Sequence, residues 1–113
     1  MVKIAYICSP FSGDVAKNTE NARRFCKFAV SEGYLPLAPH LLFPQFLDDD
    51  CPEERELGLT FALELLGKAD ELWVFGMYWS EGMRREIALA TERDIPIRYL
   101  GEDGEPAIVT ANE

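Results

Sequence analysis

Leu72-Trp73-Val74-Phe75 is apolar at every position, without the alternation of a half-exposed strand. Such a run, closed by Gly76, reads as a strand buried on both faces, the condition of strands in a parallel sheet. Lys3-Ile4-Ala5-Tyr6-Ile7-Cys8 is a second run of the same kind. Parallel strands need long crossovers, and the chain supplies helical patterns to make them. From about Val15 to Glu32, Ala22, Phe25, Cys26, Ala29 and Val30 form one buried stripe, and Gly33 caps the end. A second helix runs from Pro52, in its first turn, to about Lys68, with Leu57, Phe61 and Leu65 as one apolar ridge widened by Leu59, Leu63 and Leu66. A third runs from Ser80 to Arg93 with Met83, Ile87 and Ala90 on one face.

Two further strands complete the pattern. Tyr34 to Ala38 carries Pro36, which assigns it to a sheet edge, and Ile95 to Leu100 is the last. The order βαβαβαβ predicts an α/β fold: a three-layer, flavodoxin- or Rossmann-like parallel sheet of strand order 2-1-3-4 with helices on both faces. That order puts the switch point between the first and third strands, where loops Ser9–Gly13 and Gly76–Gly82 face one crevice. The segment 39–47 reads as a long apolar connection, forming a pocket wall or an oligomer contact. Residues 1–100 are expected to form the single domain. Residues 101–113 read as a polar tail, in which Ala107-Ile108-Val109 can add a strand.

Composition limits the partners. With 20 acidic against 11 basic residues, a net charge of −9, the chain lacks the basic surface needed to bind a nucleic acid polymer or an anionic membrane. A small anion remains possible, because a few backbone N–H groups suffice for one phosphate. Three widely spaced cysteines, no Cys-x-x-Cys and a single histidine argue against structural zinc and suit a reducing cytoplasm. Cys8 and Cys26 read as small core residues. The amino terminus enters a strand directly, and no apolar run approaches the ~20 residues of a membrane span, so a cytoplasmic protein is expected.

The chemistry concentrates at the two facing loops. Ser80-Glu81-Gly82 opens a helix at the carboxyl edge of the sheet, and Glu86 lies about one and a half turns further on. Glu86 is either a nucleophile pointing over that edge or a solvated helix glutamate beside Arg84 and Arg85. Ser9–Gly13 either cradles an anion or is a plain turn, with Ser12 or Asp14 capping the helix. Ser80 and Gly82 equally read as an N-cap and a turn glycine. His40 binds a hydroxyl or a base, donates a proton, or simply bonds to loop backbone. Phe11, Phe43, Phe46, Tyr78 and Trp79 are candidates for base stacking or for core. Asp48-Asp49-Asp50 reads as a solvated turn rather than a metal site.

At these loops the sequence resembles the nucleoside 2-deoxyribosyltransferase superfamily, which includes deoxynucleoside 5′-monophosphate N-glycosidases and small bacterial and phage relatives. Tyr6-Ile7-Cys8-Ser9-Pro10-Phe11-Ser12-Gly13 is similar to the family's first strand and phosphate-side loop. Ser80-x-Gly82-x-x-x-Glu86 resembles its catalytic helix start, and Ala90 and Ile95-Pro96-Ile97 continue the pattern. The resemblance implies an N-glycosidase or deoxyribosyl transferase acting on a nucleoside or its 5′-monophosphate. Glu86 would be the nucleophile, and Tyr6, Ser9, Phe11, Ser12, Gly13, His40, Ser80 and Gly82 the substrate contacts. It implies no metal or other cofactor, and a homodimer or larger homo-oligomer. Ser80 stands where free-nucleoside transferases carry Asp, as in the monophosphate branch. That branch has Arg where this chain has Ser12, so Lys17, Arg23 or Arg24 would have to substitute for it. The family's Asp in the helix before the third strand falls near Ala62. The other reading is a non-catalytic nucleotide-binding or sensing domain on the same fold.

Overall fold

The computed structural model describes residues 1–105; the possible strand at Ala107–Val109 lies outside them. The elements run β1 (Ile4–Cys8), α1 (Val15–Ser31), β2 (Leu35–Leu37), α2 (Pro39–Leu42), a 3-10 turn (Phe43–Gln45), α3 (Pro52–Leu66), β3 (Glu71–Phe75), α4 (Glu81–Glu92) and β4 (Ile97–Leu100). The four strands are parallel in the order β2-β1-β3-β4, as in flavodoxin-like folds. In register, Tyr6 pairs with Leu37 and Leu72, Cys8 with Val74, and Phe75 with Leu100.

The apolar runs are buried on both faces because each face has its own cover. Tyr6, Cys8, Leu72 and Val74 point toward α3 and α4, meeting Ala62, Leu66, Met83 and Ala90. Ala5, Ile7, Trp73 and Phe75 point toward α1, meeting Phe25 and Ala29. Phe25 stacks on Phe75 with ring centroids 4.1 Å apart. Pro36 is accommodated because β2 is the edge strand. At the amino edge of the sheet, Glu71 accepts from Tyr34 Oη (2.8 Å) and Trp73 Nε1 (2.9 Å), and Arg98 lies 4.5 Å over the Trp73 ring. These bonds satisfy the polar atoms at that end.

Helices α1 and α4 end alike. Gly33, at φ 86°, lets Tyr34 N–H reach the Ala29 carbonyl at 2.9 Å after α1. After α4 the same position is Asp94, at φ 57°, and Ile95 N–H reaches the Ala90 carbonyl at 2.9 Å. Aspartate tolerates this left-handed backbone better than most residues.

Three expectations are corrected. The 39–47 segment is not a bare loop: Pro39 opens the short α2, and a 3-10 turn follows. A proline fixed near the helical φ starts such a turn easily. Val30 does not belong to the buried stripe of α1, being 59% exposed, because α1 covers the sheet only with its Ala22, Phe25 and Ala29 side. In α3 the buried ridge is Ala62 and Leu66, while Leu57 and Phe61 face outward, since a fifteen-residue helix apolar on several sides can bury only one of them against the sheet. Leu66→Ala is therefore expected to cost about 3 kcal/mol and Val30→Ala less than about 0.5 kcal/mol in urea unfolding. A comparable cost at both sites would contradict this packing.

Candidate functional site

Past the carboxyl ends of β1 and β3, the loop after β1, α2, α3 and the first turns of α4 enclose a cleft of about 660 Å³. This is where a 2-1-3-4 sheet splits its crossovers to opposite faces and leaves a crevice. Tyr6, in the middle of β1, enters it from the floor. Its hydroxyl donates to Glu86 Oε2, linking the central strand to α4. Glu86 comes within reach because Met83 and Ala90, on the same helix, are fixed in the core.

The electrostatics of this pair follow from burial. Desolvation pushes the Glu86 carboxyl up to about 7, and hydrogen bonds from Tyr6 and the Cys8 thiol offset part of the rise. Desolvation and then the Glu86 charge push the Tyr6 phenol well above its ordinary value, so it remains a donor. Cys8, fully buried, lies 3.9 Å from the Met83 carbonyl, and desolvation raises its thiol too. Glu86 is thus a carboxyl that changes charge near neutrality, in contact with a cleft.

A second polar pair stands beside it. Ser9, at the end of β1, is buried, and its Oγ lies 2.8 Å from His40 Nε2. Burial lowers His40 to about 4, so its imidazole is neutral at pH 7. Pro39, at the start of α2, places His40 against the strand end.

The loop between β1 and α1 is held by its own bonds. Asn18 Nδ2 donates to the carbonyls of Phe11 (3.1 Å) and Ser12 (2.9 Å). Asp14 caps α1 by accepting from Lys17 N–H at 3.2 Å, and Gly13 turns the chain at φ 96°. Ser80 caps α4, accepting from Met83 N–H at 3.2 Å. A Cβ built on Gly82 would meet nothing nearer than 3.9 Å, so the backbone does not require glycine there; its effect is to leave open space at the start of α4.

Of the sequence candidates, Tyr6, Ser9, Phe11, Ser12, His40, Ser80, Gly82 and Glu86 all border the cleft; Gly13 lies outside it. Of the aromatic candidates, Phe11 and Phe43 line it. Trp79 instead stacks on Tyr99 at 5.6 Å and donates to the Gly76 carbonyl at 3.2 Å, and Tyr78 is exposed. Ala62 lines the cleft, so no carboxylate stands at that place. Sequence reasoning missed Asn18, Asp49, Arg55 and Arg85. Only Asn18 had a local signal, as an amide one turn after a Ser-Gly loop. Among the described residues, no three or more His, Cys, Asp or Glu side chains converge as a metal ion would require, and no helix is long and apolar enough to cross a membrane.

The fold is similar to that of solved 2-deoxyribosyltransferases. A 2-deoxyribosyltransferase from the psychrotolerant bacterium Bacillus psychrosaccharolyticus superposes with a TM-score of 0.72 at 16% identity, over 95% of this chain and 77% of that one. A 2-desoxiribosyltransferase from Leishmania mexicana gives a TM-score of 0.61 at 12% identity, over 88% of this chain and 64% of that one, so this chain spans less than two thirds of its length. Residues 3–100 match the family described as a domain of unknown function, DUF7768, and the chain belongs to that family. Curated protein sequences gave no match.

The raised Glu86 carboxyl makes stability pH-dependent. Folded Glu86 keeps its proton to about 7, against an ordinary value of 4.5 for the unfolded chain. Between those values the folded state binds the extra proton, so this group's contribution falls as pH rises, and the loss is complete above about 7. Glu86→Gln, which still accepts from Tyr6, should match wild type at pH 4 and exceed it at pH 8 by up to about 3 kcal/mol in urea unfolding. Equal stabilities at both pH values would show that Glu86 is not desolvated.

Proposed function

We propose that the protein is an N-glycosidase or deoxyribosyl transferase acting on a small nucleoside or its 5′-monophosphate, with Glu86 as nucleophile. The observation carrying this reading is the Tyr6–Glu86 hydrogen bond inside the cleft. With Tyr6 holding Oε2, Oε1 is the oxygen that would approach an anomeric carbon. Ionised Glu86 forms a bond from Oε1 to that carbon as the C–N glycosidic bond breaks. The base leaves with the bonding pair and takes a proton from water in the cleft. Water, or a second base, then attacks the same carbon and the ester C–O bond breaks, returning the carboxylate with net retention. Phe11 and Phe43 offer apolar surface for the base, and the Ser9–His40 pair offers polar atoms to a hydroxyl or a base edge.

Ala62 favours a second reading: with no carboxylate there to protonate the leaving base, the cleft would bind a nucleotide without turning it over. The exposed Phe46 and Phe61, both beside Phe43, together with exposed Leu42 of α2 and Leu57 of α3, support assembly with a second copy. Light scattering on the eluted protein is expected to give a dimer or larger; a monomer at all concentrations would remove that element.

Incubation with deoxynucleosides and their 5′-monophosphates, following free base, tests the enzymatic reading. Glu86→Ala should lower release on the order of 10³-fold or more, and Tyr6→Phe about tenfold to a hundredfold. The rate should climb with pH through about 7, as Glu86 ionises, and then level. Gly82→Ala should keep or gain up to about 1 kcal/mol of stability in the helix while weakening ligand binding at the start of α4. Binding without base release in wild type would select the sensing domain.

A further inference from the structure

Resting on the reading of the cleft as a nucleoside site, we infer that it selects an uncharged nucleoside over the 5′-monophosphate, and that Asp49 sets this preference. Ser80 alone suggested the opposite, but the Ser12 hydroxyl is taken up by a carboxylate and both helix starts carry an acid. The hydroxyl of Ser12, in the loop after β1, donates to Asp49 Oδ2 at 3.4 Å. The start of α1 is capped by a carboxylate, Asp14, and the start of α4 by Ser80, with Glu81 in its first turn. A helix start that already carries an acid has little attraction left for a dianion.

The cations do not reverse this. Arg85 lines the cleft but pairs with Glu56 at 3.3 Å. Arg55 lines it between Glu54 and Glu56, and Asp49 and Asp50 add two more carboxylates. Lys17, Arg23 and Arg24 do not border the cleft; Arg24 donates to Asn21 Oδ1 at 2.6 Å instead. A dianionic phosphate entering here meets like charge, whereas a 5′-hydroxyl can donate to the Asp49 carboxylate. Like charges brought together in a partly desolvated cleft discriminate strongly.

The test is calorimetric titration, in low-salt buffer without phosphate, of the four common deoxynucleosides and their 5′-monophosphates. Wild type should bind its preferred nucleoside at least about tenfold tighter than the matching monophosphate. Asp49→Asn should shrink that ratio severalfold, mainly by tightening the monophosphate. Glu20→Gln, an equal charge change on the exposed face of α1, should leave the ratio unaltered. Equal or tighter binding of the monophosphate would overturn the inference and leave the glycosidase reading intact. So would an Asp49→Asn ratio equal to that of wild type. Nucleoside preference without base release would uphold the inference and overturn the enzymatic reading. Binding of neither ligand at millimolar concentration would overturn both.

Discussion

The central strands β1 and β3 are apolar on both faces, and everything else follows from covering them. A parallel sheet leaves its connections to cross over one face or the other. Here α1 takes the face of Ile7, Trp73 and Phe75, and α3 and α4 take the face of Cys8, Leu72 and Val74. The crossovers leave the sheet in opposite directions after β1 and β3, so no helix fills the gap between their carboxyl ends. The cleft is the space that covering both faces leaves open.

Into that apolar setting the chain places a few polar groups. Tyr6 and Glu86 come from positions eighty residues apart, yet each is fixed by neighbours that belong to the core. A carboxyl in such a place ionises reluctantly, and its desolvation costs stability at high pH. His40 is subject to the same desolvation with the opposite result: it is held neutral, so the Ser9–His40 pair brings hydrogen-bonding atoms without a charge. The acidic charge of the site therefore sits on its rim, in side chains of the 49–56 segment and the start of α4.

Much of this was legible before any coordinates. The strands, the three long helices and the strand order follow from apolar runs, helical spacing and the edge proline. Glu86, Ser80 and Gly82 could be singled out because a strand-to-helix turn at a switch point is a recurrent ligand position. The exposed side of α3 was not legible. Leu57, Phe61, Leu65 and Leu66 are chemically alike, and periodicity cannot say which side meets the sheet when several sides are apolar. The helical character of 39–45 was hidden by its prolines and aromatics, which look the same in a loop.

What the sequence determined by itself is the set of elements and their order, because burial period and turn chemistry are local properties of the chain. What tertiary structure decided is the set of side chains that meet. Ser12 faces Asp49 from a segment thirty-seven residues away, and Arg85 of α4 faces Glu56 of α3. The two serines that suggested a phosphate site face a carboxylate and a helix end instead. Such pairings depend on the angles at which helices cross the sheet, and those are set by packing volumes summed over the whole core rather than by any local stretch.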